Sequence, residues 1–142
     1  MSSDNISTIY TQPYPQVERT FKKEYLENCF QDLHLIKPTC FVFMSDEELL
    51  EINIGSLNHD YYTDVITFDY SNDEDVSHNE VCISVDRIIE NANISNVSFE
   101  NELHRICIHG LLHLAGCKDD TKEAKAEMTS LENHYLDLHC ST

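Results

Sequence analysis

The sequence predicts an α+β protein in which a small mixed β-sheet packs against helices. Three observations carry that expectation. Short apolar runs rich in β-branched and aromatic residues, Thr39-Cys40-Phe41-Val42-Phe43-Met44 and Val81-Cys82-Ile83-Ser84-Val85, read as strands. Around them apolar residues recur at helical spacing. One late stretch, residues 106–115, is apolar or small at every position except two histidines, as in a helix buried on all sides. A chain of 142 residues can bury about two-thirds of its unfolded surface in a single core, so residues 1–142 are expected to form one domain.

In chain order, Val17, Phe21, Tyr25, Cys29 and Leu33 repeat every four residues and predict a first amphipathic helix over about 15–30. A buried strand follows at 39–44. Ser45-x-x-Glu48 has the form of a capping box, opening a helix through Leu49, Leu50 and Ile52. Residues 58–64 form a polar, aromatic loop in which Thr63 and Asp64 are expected to satisfy local backbone groups. Ile66, Phe68 and Tyr70 alternate with Val65, Thr67 and Asp69, which predicts a half-covered strand. The acidic loop 71–79 reads as solvated surface, and a further strand runs through Val81, Ile83 and Val85. Asp86 is placed to cap a short helix containing Ile88 and Ile89, and Ser98 to cap the central helix, with Glu100 and Glu102 favourably in its first turn. Asp120-x-x-Glu123 has the form of a second capping box, opening a last helix whose core stripe is Ala124, Met128, Leu131, Tyr135 and Leu138.

The chemistry concentrates in Ile106-Cys107-Ile108-His109-Gly110-Leu111-Leu112-His113-Leu114-Ala115-Gly116-Cys117-Lys118-Asp119. His109 and His113 stand four residues apart, one above the other on a single helix face. Gly116 is a natural left-handed stop, after which the chain can return Asp119 to the imidazoles. Two imidazoles and a carboxylate with one open position form the ligand set of a catalytic zinc. The residues leave a second reading open, in which both are core histidines, each with its own hydrogen-bond partner. The match to an H-E-x-x-H metalloprotease helix is partial, because Gly110 stands where the general-base Glu would be. Asp119 and Asp120 both lie within reach of a metal; the capping box assigns Asp120 to the last helix and leaves Asp119 for the site. Cys117 is either a further ligand or a loop-facing thiol.

The run H-G-L-L-H-L-A-G-C-K-D resembles the signature of the YbeY family of bacterial endoribonucleases, whose usual form is H-G-x-L-H-L-x-G-x-D-H. His109 and His113 match the first two metal ligands. Asp119 takes the place of the third, preceded by Lys118, as in one branch of the family. Ile52-Asn53 with 60–68 resembles the family's "LN…D…TDVLSF" segment, and 80–86 its "GDIxISVD" strand. The resemblance implies a zincin-like fold with the metal site on the central helix and the following loop, and a further short strand among the early elements. It implies one Zn2+ or similar transition metal held by His109, His113 and Asp119. It also implies hydrolysis of single-stranded RNA in ribosomal RNA maturation, including the 16S 3′ end, and in ribosome quality control. The family's phosphate-holding arginine aligns with Leu57 here, leaving His59 and Lys118 as the neighbouring candidates for that contact.

Composition bounds these expectations. Nine Lys+Arg against 26 Asp+Glu give a net charge of −17, unlike a protein that grips nucleic acid over a broad basic face. The basic residues cluster as Arg19, Lys22 and Lys23 and as Lys118, Lys122 and Lys125, the latter beside the histidine motif. RNA and ribosome-associated proteins are the expected partners, with no membrane and no DNA. Residues 1–8 lack a signal core, no apolar run reaches the ~18 residues of a membrane helix, and the six cysteines show no C-x-x-C pair, so a cytoplasmic location is expected. Two other functions fit the residues: a zincin-like hydrolase of peptides or small molecules, and a ribosome-associated module whose metal is structural.

Overall fold

The computed structural model describes residues 4–57 and 63–140, the side chains of Ser56 and Leu57 excepted. Most of the loop expected at 58–64, with His59, lies outside the described residues. The elements are β1 (Ile6–Tyr10), α1 (Pro15–Thr20), α2 (Lys23–Asp32), β2 (Thr39–Met44), α3 (Asp46–Leu57), β3 (Val65–Phe68), β4 (Asn79–Ser84), α4 (Val85–Ser95), α5 (Phe99–Leu114) and α6 (Lys122–His139). The sheet order is β1-β2-β4-β3. β1, β2 and β4 run parallel, and β3 is antiparallel to β4, pairing Val65 with Ile83 and Phe68 with Glu80. This is the mixed sheet with helices that the sequence predicts.

Strand alternation sorts the core onto the two faces of the sheet. Phe41, Phe43, Val81 and Ile83 meet α2, α5 and α6 through Leu26, Phe30, Leu103, Leu111 and Leu136. Met44, Ile66 and Cys82 face the other way, onto Leu49 of α3. Each such side chain, fully buried, contributes about 1.5–3 kcal/mol of transfer free energy. Cys29, Cys40, Cys82 and Cys107 are buried free thiols, Cys40, Cys82 and Cys107 in the small apolar role expected of them.

The differences from expectation have identifiable causes. β1 is short and half polar, and long-range bonds order it: the Glu27 carboxylate accepts the Asn5 and Ile6 N–H groups at 3.0 Å each. The single helix expected over 15–30 is two helices. The chain turns extended at Phe21, and the Lys22 N–H donates to His104 Nε2 at 3.0 Å instead of to a helical carbonyl. β3 ends at Phe68, two residues short of Tyr70. The acidic loop is exposed at 71–75, as expected of solvated surface, and is in addition tied down: the Lys37 ammonium donates to the carbonyls of Tyr70, Asp73 and Val76, and buried Asn79 Oδ1 accepts the Tyr70 N–H.

Caps follow the same pattern. Ser45 and Glu48 form the expected reciprocal box, with Glu48 accepting the Ser45 N–H at 2.9 Å and Ser45 Oγ the Glu48 N–H at 3.2 Å. Ser98 Oγ caps α5 through the Asn101 N–H. α4 is capped by Ser84, whose Oγ accepts the Arg87 N–H, because the helix starts directly after the strand; Asp86 instead accepts the Asp46 N–H at the start of α3. α6 is capped by Thr121, which accepts the Ala124 N–H at 3.0 Å, and not by Asp120. α6 buries Met128, Glu132 and Leu136, a strict four-residue stripe that leaves Leu138 55% exposed.

His104, 1% exposed, joins α5 to the α1–α2 corner, donating from Nδ1 to the Glu100 carbonyl at 2.8 Å while its Nε2 accepts from Lys22. Burial lowers its pKa from the ordinary 6.5. Below about pH 6.5 the unfolded chain therefore binds a proton that the folded one resists, and stability is lost as pH falls through the folded pKa. Melting curves at pH 7.5 and pH 5.5 should show a decline that is shallower in His104→Gln, this residue alone giving up to about 1.4 kcal/mol per pH unit. An equal decline in that variant would remove His104 as the linked group.

Candidate metal centre

α5 carries both histidines, and its seating against the sheet determines where they point. Gly110 makes that seating possible: a Cβ there would stand 2.7 Å from Val81 Cγ1 and 3.1 Å from Cγ2, on a side chain that is fully buried. The position where a metalloprotease helix carries its general-base Glu thus faces β4, and no side chain fits it. With position 110 against the sheet, His109 and His113 stay partly open to solvent, their side chains 21% and 27% exposed.

The turn after α5 supplies the third donor. Gly116 adopts φ +96°, as expected of a glycine stop. The Cys117 N–H bonds Leu112 O and the Gly116 N–H bonds His113 O, each at 3.0 Å, which is the Schellman arrangement. Asp119 is thereby returned so that its Oδ2 lies 3.4 Å from His113 Nε2 and 3.5 Å from His109 Nε2. The two Nε2 atoms are 3.0 Å apart. A tetrahedral ion bonded at 2.0–2.1 Å holds its ligands about 3.3 Å from one another. One ligand atom from each of the three residues lies within 4.8 Å of the others, and among the described residues this is the group that could hold a metal.

The outer contacts fit the same purpose. His113 Nδ1 donates to the Cys117 carbonyl at 3.1 Å, and His109 Nδ1 to Glu132 Oε2 at 2.7 Å. With both Nδ1 atoms acting as donors, both neutral rings turn an Nε2 lone pair toward the same point, an arrangement relieved by a cation. The field agrees. Burial disfavours a charged His109, but the hydrogen bond and charge of Glu132, with Asp64 and Asp119, outweigh it and hold the pKa above 6.5. Burial also raises the Glu102 carboxyl, against the pull of Arg105 and with further repulsion from Asp64 and Glu132. Carboxylates thus crowd the imidazole pair from several sides and favour a positive guest.

His109, His113 and Asp119, predicted together, are together. Asp120 is exposed, although the capping box that set it aside is not the cap used. The Cys117 thiol is not in the donor group; its backbone carbonyl serves the site instead. Thr63 Oγ1 donates to the Val65 carbonyl at 3.5 Å, the local role expected of it, whereas the Asp64 carbonyl accepts the Ser84 N–H across to β4 and the Asp64 charge acts on His109. The side chains of Leu57 and His59 lie outside the described residues. Sequence reasoning missed Glu132 and Arg105, which bond each other at 3.1 Å. The available signal was Glu132 lying midway between Met128 and Leu136 on a core-facing stripe.

A small mixed sheet backed by a helix that presents an imidazole pair, with a carboxylate returned by the next turn, defines a zincin-like α+β protein. The chain belongs to the endoribonuclease YbeY family, whose family model matches residues 12–139. It is 45% identical over 98 residues to the endoribonuclease YbeY of Cytophaga hutchinsonii, covering 69% of this chain and 68% of that one. It is 37% identical over 123 residues to that of Porphyromonas gingivalis strain ATCC 33277, covering 86% and 81%. The solution structure of TM1509 from Thermotoga maritima superposes with a TM-score of 0.59 at 27% identity, over 92% of this chain and 89% of that one.

Gly110→Ala should lower the stability of the wild type by about 1 kcal/mol, overpacking of about 1–3 kcal/mol outweighing a helix-propensity gain near 1. In a Val81→Ala background the same substitution should become neutral or stabilising. Denaturant unfolding of the four proteins measures this coupling, and additive effects would show that the contact does not limit position 110.

Proposed function

We propose that the protein is a metal-dependent endoribonuclease of ribosomal RNA maturation that uses one zinc ion held by His109, His113 and Asp119. The observation that carries this is the convergence of those three donors within 4.8 Å in a chain of the YbeY family. The chemistry a bound ion supplies is Lewis acidity, a polarised phosphoryl oxygen and a more acidic water at neutral pH. The chain's own residues do the rest. Glu132 and the Cys117 carbonyl hold the imidazoles in the Nδ1–H tautomer, and Asp119 adds a negative charge that a neutral third histidine would lack. Partial exposure of all three donors leaves room for a phosphodiester and a water. The single domain 1–142 would then consist of a sheet, its covering helices and this one site.

Binding of RNA has to work against the net charge of −17. Lys118, next to Asp119 in the chain, and Lys122 and Lys125 at the start of α6 are exposed, and in this reading they receive a phosphate. So small a patch neutralises few phosphates, so naked RNA should bind weakly with a shallow salt slope. Specificity for ribosomal RNA, including the 16S 3′ end, would then come from ribosome-associated proteins in the cytoplasm. No helix among the described residues is long and apolar enough to cross a membrane.

Purified protein should contain close to one transition-metal ion per chain and melt at lower temperature in EDTA. His113→Ala and Asp119→Ala should lose the metal and RNA cleavage with the fold retained, Asp119→His should keep the metal, and Asp120→Ala should keep both. Metal analysis with cleavage assays on single-stranded RNA and on peptides, with and without chelator, checks this. A metal-free wild type, or metal loss from Asp120→Ala alone, would reject the ligand set. Charge reversal at Lys118, Lys122 and Lys125 together should slow cleavage at unchanged metal content; an unchanged rate would remove those lysines from the RNA path.

A further inference from the structure

α6 buries a carboxylate in the middle of its apolar stripe. Glu132 is 7% exposed, one turn from Met128 at 3% and from Leu136 at 6%. Taking a carboxylate out of water is costly unless its oxygens are bonded, and an apolar residue of similar volume would avoid that cost. Both oxygens are in use: Oε1 accepts from Arg105 Nη1 at 3.1 Å and Oε2 from His109 Nδ1 at 2.7 Å. Arg105 is held in turn by Asn133 Oδ1 at 2.7 Å. The two histidines are therefore supported unequally, His113 by a neutral backbone carbonyl and His109 by an anion from another helix.

We propose that Glu132, clamped by Arg105, is the positioning residue of the metal centre. It fixes His109 in the Nδ1–H tautomer, aims its Nε2 at His113 and Asp119, and makes that nitrogen a stronger donor to the metal. α6 thus governs metal affinity without supplying a ligand, and its docking on α5 and the loading of the site are coupled. This inference rests on the metal-centre reading above.

The test uses full-length wild type, Glu132→Gln, Glu132→Leu and Arg105→Gln, stripped of metal and titrated with Zn2+ against a chromophoric chelator. Melting of the metal-free proteins is followed in parallel. Glu132→Leu should bind zinc roughly 10- to 100-fold more weakly, with smaller losses in the other two variants. Its metal-free form should itself melt below the wild type, because Arg105 and the His109 Nδ1–H lose their acceptor, so zinc affinity is the readout that decides. A merely structural role lowers the melting temperature and leaves zinc affinity unchanged, and would overturn the proposal. Should Glu132→Leu fail to fold, Glu132→Gln and Arg105→Gln decide, and wild-type affinity in both overturns it. No zinc uptake by the wild type would overturn the metal centre itself, whereas tight uptake indifferent to Glu132 overturns only the role of Glu132.

Discussion

α5 can present two half-buried histidines to Asp119 only because Gly110 lets it lie directly on β4, with Val81 Cγ1 2.7 Å from where a Cβ would be. That contact sets the depth and the rotation of the helix together. Position 110 is pinned to the sheet, so positions 109 and 113, about 100° and about 60° round the helix from it in the same direction, are turned to one flank of the helix. Rotation fixed in this way also decides which chemistry is unavailable, since a general base cannot stand next to the first histidine. The Gly116 turn then has a defined starting point from which to bring Asp119 back.

A second layer of order comes from polar groups that each join two elements. Glu27 ties β1 to α2, His104 ties α5 to the α1–α2 corner, Asp86 caps α3 from α4, and Glu132 joins α6 to His109. Glu27, His104 and Glu132 are buried, their desolvation offset by bonds to another part of the chain, while Asp86 makes its link from the surface. Such links bring helices into register in a way that apolar contacts, which tolerate sliding, do not. At the metal centre this register decides whether two lone pairs and a carboxylate meet within ligand distance.

The parts of this structure legible in the sequence are those governed by local periodicity and local hydrogen bonding. The strand 39–44, the body of the strand 79–84, the Ser45–Glu48 box, the Ser98 cap, the Gly116 stop and the pair His109 and His113 all follow from spacings of five residues or fewer, although Val85, expected to end that strand, begins α4. What escaped detection depends on distant partners. β1 exists through pairing with β2 and through Glu27; α1 and α2 part because Lys22 finds His104. Ser84 displaces Asp86 as a cap because strand and helix abut without a loop. Thr121 displaces Asp120 although the sequence offers an acidic box, and Glu132, though it stands on the wheel between Met128 and Leu136, has no assigned partner until α5 is in place. Family resemblance supplied the early strand and the third ligand position, neither of which periodicity alone assigns.

The central claim is that the ion, when bound, sees two imidazole nitrogens and one carboxylate oxygen from this chain. X-ray absorption at the metal edge of the purified, metal-loaded protein measures that shell directly. The structure predicts nitrogen and oxygen scatterers at about 2.0–2.2 Å, with the outer-ring signature of two imidazoles and no sulfur. A sulfur shell near 2.3 Å would place the Cys117 thiol on the metal, and a single imidazole would break the His109–His113 pair; either result would contradict the site as described.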